Sequence, residues 1–210
     1  MTGRIQKGTY SNFRKRTRPK KKMENTTLVV ATDRCLLRPA TPHDYDPLVA
    51  GIGAPEFPPE LPLANLQRQG KLKSWLDSIL AMSLDGRACV FSIDLRTGER
   101  CIGQVSLVQR DQSASWNLAF WLHPSYWGGG LAVETAAATV RYAFTVMAVQ
   151  EVWAGAAVWN QRSIKTLLKL GLLPIDAGKT LNSNSDSSDA TRTFSVSRDC
   201  WLRTSSGDSA

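Results

Sequence analysis

The sequence has only two histidines, His43 and His123, and four cysteines, Cys35, Cys89, Cys101 and Cys200. The histidines lie far apart, and the cysteines stand singly in apolar segments with no C-x-x-C pair. A structural or catalytic metal needs Cys or His clustered at ligand spacing, so no metal site is expected. Isolated cysteines of this kind read as buried free thiols in a reducing compartment, and a cytoplasmic location is expected. No run approaches the roughly 18 apolar residues of a membrane span. The N-terminal stretch is basic but lacks the apolar core of a signal peptide. No internal repeat is found, which argues against solenoids and propellers.

Hydrophobic residues make up 42% of the 210, enough for one packed domain rather than a disordered chain. The net charge of +8 is unevenly spread. Residues 1–22 hold nine basic side chains (Arg4, Lys7, Arg14, Lys15, Arg16, Arg18, Lys20, Lys21 and Lys22) and no acid. The rest therefore carries 26 − 9 = 17 basic against 18 acidic residues, close to neutral. Such an arm can neutralise nucleic-acid phosphates. A solvated tail, or a true start at Met23 where "MENTTLVV" opens, are the competing readings. The expected organisation is a basic disordered tail over 1–22, one domain over 23–203 and a short disordered tail over 204–210. A monomer or homodimer is expected, with no membrane partner.

Patterning predicts mixed α/β. One or two strands fall in Thr26–Ala40. A short helix follows "TPHDYDPLVAGIG", with Thr41 or Asp44 as its cap. A proline-rich loop covers Ala54–Leu63, and a longer helix covers Leu66–Leu84, stopped by Asp85-Gly86. Three strands, Ala88–Leu95, Cys101–Arg110 and Ser115–Leu122, form an antiparallel meander. A small-faced helix over Gly130–Met147 leads to a strand, Glu151–Trp159. Next comes a helix over Asn160–Gly171 with an Asn cap and a Gly stop. "LLPI" is a short strand, "LNSNSDSSD" a loop, and Ala190–Trp201 the last strand.

The most informative stretch is "WLHPSYWGGGLAVE", Trp121–Glu134. An aromatic strand runs into three glycines and then directly into a helix. Three glycines cost backbone entropy. A helix N-terminus with glycines before it offers free N–H groups and a positive dipole end, an anion cradle; a tight packing turn is the alternative. A Walker loop is excluded because no lysine follows the glycines. A dinucleotide fingerprint fits poorly: Val133 stands at its third glycine, and Glu151 opens the next strand rather than ending it.

Residues Trp127-Gly128-Gly129-Gly130-Leu131-Ala132 resemble the [QR]-x-x-G-x-[GA] junction of the GNAT acyl-CoA transferases, with Trp in the first position. "HPSYWGGGLAVETAAATVRYAF", "VWNQRSIKTLLKLGL", "TDRCLLRPATPHDYDPL" and "TFSVSRDCW" are similar, in order, to the RimL/RimJ-like branch of that family over about Thr26–Trp201. The resemblance implies a GNAT fold. This is a central, mostly antiparallel twisted sheet of six to seven strands flanked by about four helices, with two central strands splayed apart. It implies transfer of an acetyl group from acetyl-CoA to a primary amine, on a protein N-terminus or a small molecule, by direct attack in a ternary complex. A non-catalytic acyl-CoA-binding or nucleic-acid-associated module is the alternative.

The resemblance also assigns roles. Backbone N–H groups of Gly128 through Ala132 would hold the CoA pyrophosphate, with Trp127 opening the loop and Leu131 inside it. Gly129 stands where the family usually has a basic residue. The backbone around Phe120, Trp121 and Leu122 would bind the pantetheine arm and polarise the thioester carbonyl. Asn160 matches a pantetheine-contacting asparagine, and Ser163 matches a serine that can reach the sulfur. Catalytic candidates are Ser163, Asn117 and Glu134, and the set is thin. Many relatives have Glu at the position of Asn117, and Asn cannot act as a base; Leu167 stands where other branches have a Tyr acid. Glu134 has bracing of its helix as its competing role. Phe57, Trp75, Trp116 and Trp201 are candidates to line the acceptor pocket.

Overall fold

The computed structural model describes residues 28–110, 114–175 and 190–205. The expectations for the basic arm over 1–22 and for the "LNSNSDSSD" loop fall outside the described residues. Eight strands form one sheet: β1 (Val30–Ala31), β2 (Cys35–Pro39), β3 (Ala88–Leu95), β4 (Gly103–Gln109), β5 (Ser115–Leu122), β6 (Glu151–Ala157), β7 (Leu173–Pro174) and β8 (Thr191–Ser197). Their order is β1-β2-β3-β4-β5-β6-β8-β7. Every neighbouring pair is antiparallel except β5 and β6. Six α-helices accompany them among the described residues: α1 (Tyr45–Ile52), α2 (Pro62–Arg68), α3 (Leu72–Leu84), α4 (Leu131–Thr145), α5 (Gln161–Lys169) and α6 (Arg198–Ser205). None of the described helices is long and apolar enough to cross a membrane.

Strand alternation sorts the side chains to two faces. Cys35, Leu37, Phe91, Ile93, Val105, Leu107, Leu118 and Val152 point to one face, where they pack with Ala136, Val140 and Phe144 of α4 and Ile164 and Leu167 of α5. Ala88 and Val90 point to the other, against Leu76 and Ile79 of α3. Further along that face, Trp121 is buried with Leu48 and Ile52 of α1 and Leu72 of α3. The sheet therefore separates α1–α3 from α4 and α5.

The α1–α3 face also buries a polar chain. Asp44 accepts from both terminal nitrogens of Arg38 (2.9 and 2.6 Å), from the Thr41 amide (2.8 Å) and from Ser92 Oγ (2.8 Å). Gln104 Nε2 donates to Ser92 Oγ at 3.3 Å, and Trp121 Nε1 donates to Gln104 Oε1 at 3.2 Å. Burial pushes the Asp44 carboxyl up, but the hydrogen bonds from Arg38, Thr41 and Ser92 outweigh it and hold the group down at about 2.

Two expected elements differ. The single helix over Leu66–Leu84 is two helices, α2 and α3. The chain turns at Gly70, whose φ of +67° favours glycine, so the apolar spacing runs across a break rather than through it. The last strand ends at Ser197, and Arg198 begins α6, which packs the Trp201 ring 5.4 Å from Phe144. Sheet and helix counts exceed the expected six to seven and about four, because β1 and β7 are two-residue strands and because of α2 and α6.

Candidate active site

The parallel pairing of β5 with β6 stops early. Ser115, Trp116 and Asn117 register with Glu151, Val152 and Trp153, and beyond Asn117 and Trp153 the strands part. The His123 amide donates to Ile102 in the β3–β4 turn at 2.8 Å. Alternation of the backbone groups then turns the N–H and C=O of Trp121 toward β4, and those of Phe120 and Leu122 toward the gap. Trp121 itself does not reach the gap: its side chain is buried on the opposite face beneath α1, where a Cβ on Gly51 would clash with the indole. The Leu122 carbonyl accepts from Trp127 Nε1 at 2.9 Å.

The glycine loop lies at the same end of β5. Gly128 (φ +84°) and Gly130 (φ +78°) are left-handed, which accounts for two of the three glycines; Gly130 is the N-cap of α4. A Cβ at Gly128 or Gly129 would meet nothing within 4 Å, so the loop faces open space. The Gly129 carbonyl accepts from Arg34 Nη1 at 2.8 Å. A trans peptide sets N–H opposite C=O, so this bond points the Gly130 N–H away from Arg34. The loop therefore presents backbone donors at the positive end of a 15-residue helix, with open space beside Gly128 and Gly129. A phosphate fits that cradle.

Glu134, on the first turn of α4, accepts from Thr32 Oγ1 (2.6 Å), the Arg34 amide (2.8 Å) and Arg34 Nε (2.6 Å). Its carboxylate joins the β1–β2 turn to the loop, and both oxygens are taken up by these bonds. Burial pushes its pKa up, but these hydrogen bonds and the Arg34 charge outweigh it and hold it below the usual range. Arg34 lies in the "TDRCLLRPATPHDYDPL" stretch, where nothing in the local pattern marks it as a partner of the glycine loop.

Asn160 caps α5, its Oδ1 accepting the Ser163 amide at 3.1 Å, so Ser163 stands half-buried on the first turn. The neighbouring Arg162 guanidinium lies 4.6 Å from the centre of the Trp127 ring, which brings the start of α5 against the glycine loop. Asn117 sits at the crotch of the gap, its Nδ2 donating to the Trp153 carbonyl at 3.4 Å.

On the α1–α3 face of that crotch is a cavity of about 370 Å³, lined by Trp75, Ile79 and Met82 of α3, Val108 of β4, Asn117 and Trp153. Next along the same face, Ala119 and Gly155 are exposed although they belong to central strands. Of the four aromatics expected around an acceptor, only Trp75 lines this cavity. Phe57 packs near Trp127 at 6.4 Å, Trp116 is buried toward α4, and Trp201 packs on Phe144. Their apolar spacing reported core, and spacing cannot say which core. Trp153 was missed because its strand alternates without marking which face is open.

Two compartments on opposite faces thus meet at one gap: a phosphate-sized cradle at a helix tip, and a concave cavity. Residues 34–173 match the family model for the GNAT acetyltransferase domain, so the chain belongs to that family. The chain is 25% identical over 146 residues to the uncharacterised N-acetyltransferase YoaA of Bacillus subtilis strain 168, covering 68% of this chain and 81% of that protein. A GNAT-family acetyltransferase from Bacillus anthracis superposes with a TM-score of 0.67 at 14% identity, over 82% of this chain and 99% of the other. Mycobacterium smegmatis RimJ, solved in complex with CoA-disulfide, superposes with a TM-score of 0.61 at 18% identity, over 82% and 89%. These likenesses agree with the GNAT fold expected from the motifs.

Proposed function

We propose that this chain is an acetyl-CoA-dependent N-acetyltransferase that acetylates a primary amine in a ternary complex. The observation that carries the reading is the opening of the β5–β6 gap beside the left-handed glycine loop at the tip of α4.

The open loop and gap suit a diphosphate joined to a thiol-bearing arm. Backbone N–H groups from Gly128 to Ala132 hold the diphosphate. The gap-facing backbone of Phe120 and Leu122 pairs with the arm as a missing strand would, with Trp127 holding Leu122 in place. Acetyl-CoA, when bound, supplies the acetyl group as a thioester. A backbone N–H at the gap polarises the carbonyl. The amine nitrogen bonds to the carbonyl carbon as the carbon–sulfur bond breaks. Ser163 donates a proton to the sulfur and recovers one from solvent.

Asn117 orients the amine and takes no proton. Glu151, two residues before Trp153 and on the same face of β6, accepts a hydrogen bond from Ser115 Oγ. It is the carboxylate we assign to receive the ammonium proton through a water.

The test is calorimetry with acetyl-CoA, followed by thiol release with a panel of amines. Binding with turnover supports the enzyme. Binding without turnover on any amine would make the chain an acyl-CoA-binding module, and no binding would overturn the reading.

A further inference from the structure

We infer that the cavity on the α1–α3 face selects acceptors whose primary amine is carried one or two carbons from an aromatic or bulky aliphatic group. This rests on the acetyltransferase reading above. The cavity ends at Asn117 and Trp153, the last residues of β5 and β6 that remain in register, so its floor is the point where the gap opens. An amine at that floor meets the Asn117 carboxamide, whose Nδ2 donates to the Trp153 carbonyl and whose oxygen can accept from the amine.

The lining above that floor is mainly apolar, with Ser78, Gln109 and Arg110 as its polar members. Trp75, Ile79 and Met82 present one side from α3, and Val108 and the Trp153 indole present the other. Arg110, which also lines the cavity, lies over the Trp153 ring, 5.1 Å from its centre, and its charge disfavours a second cation there. The volume of about 370 Å³ is at the small end of ligand sites, enough for a ring on a short arm. An amine with an apolar flank buries that flank between two indoles. A second ammonium on a polyamine would be desolvated against the same walls, and no carboxylate lines the cavity among the described residues.

Two sources share this chemistry: a free arylalkylamine, and a peptide whose first residue is large and apolar. The experiment uses the full chain with saturating acetyl-CoA and measures thiol release with 2-phenylethylamine, spermidine, and the peptides Met-Ala-Ala-amide and Ser-Ala-Ala-amide. We expect kcat/KM for 2-phenylethylamine to exceed that for spermidine, and for the Met peptide to exceed that for the Ser peptide, each by about tenfold or more. The better of phenylethylamine and the Met peptide identifies the source. Ser78→Trp, on an exposed position of α3 that borders the cavity, should plug it. KM for the preferred amine should rise about tenfold while acetyl-CoA affinity stays within about twofold.

Spermidine or the Ser peptide turning over best, or an unchanged KM in Ser78→Trp, overturns the inference and leaves the acetyltransferase standing. Acetyl-CoA binding with no turnover on any amine overturns both.

Discussion

Arg34 and Glu134 lie 100 residues apart in the chain and are joined twice, backbone amide and Nε each donating to one carboxylate oxygen, at 2.8 and 2.6 Å. The same guanidinium reaches on to the Gly129 carbonyl. The β1–β2 turn is thus tied to the loop that opens α4. Arg34 also brings positive charge to a loop whose own sequence has glycine where the family usually carries a basic residue.

Arg34→Ala should weaken acetyl-CoA binding by up to about tenfold, because it removes the hydrogen bond that orients the Gly129–Gly130 peptide toward the ligand. Stability should change little: the Arg34 side chain is 51% exposed, and Glu134, 17% exposed, keeps its bonds from Thr32 Oγ1 and the residue-34 amide. Calorimetry and thermal melting separate the two effects. A large loss of melting temperature with unchanged affinity would mean that Arg34 is purely structural.

Gly130 tests the cradle by charge. Asparagine and aspartate both tolerate left-handed backbone, so Gly130→Asn and Gly130→Asp pay a similar conformational cost. A Cβ there lies 3.6 Å from Arg34 Nη2, and an added carboxylate would capture that cation as well as repel a diphosphate. Gly130→Asp should bind acetyl-CoA at least about tenfold more weakly than Gly130→Asn. Equal affinities in calorimetry would assign the loop another job.

Glu151→Gln tests the proton route. If Glu151 receives the ammonium proton, kcat/KM should fall by about 100-fold. Acetyl-CoA affinity should hold. An unchanged kcat/KM would move the base elsewhere.

The Asp44 network predicts acid sensitivity. Its pKa is lowered from 3.8 to about 2 on folding, so ionised Asp44 contributes fully above pH 3.8, and the contribution is lost as pH falls toward 2. A lowering of this size is about 2 kcal/mol, or about 4–8 °C in melting temperature for a domain of this length. The wild type should lose that much stability between pH 5 and 2 through this group; Asp44→Asn should melt lower at pH 5 and show a shallower slope.

The thiols should be silent. Burial pushes Cys89 up to about 12; burial, with the Asp44 charge behind it, does the same for Cys101; burial also raises Cys35. A thiolate reagent at pH 8 should leave these three unmodified in the folded chain and label them only on unfolding. Labelling of native Cys89 would show that its strand opens.

Some of this was legible before any coordinates. The left-handed glycines, the Asn160 cap and the Gly171 stop are local demands on φ or on a free amide, and each residue type announces such a demand by itself. Alternation along β3, β4 and β5 likewise told which side chains share a face. It could not tell which face stays uncovered, so Trp75 was placed at the cavity together with Phe57, Trp116 and Trp201, which pack elsewhere. The helix break at Gly70 was hidden because the apolar spacing continues across it.

The sequence by itself therefore determined most of the strands and helices and the glycine loop, because those follow from the conformational limits of single residues and their near neighbours. Only the tertiary structure decided that β5 and β6 part after Asn117 and Trp153, that Arg34 meets the loop, and that Trp153 faces Trp75. These depend on which surfaces the packed layers bring together across 95 residues from Arg34 to Gly129 or 36 from Asn117 to Trp153, and no local preference encodes such a meeting.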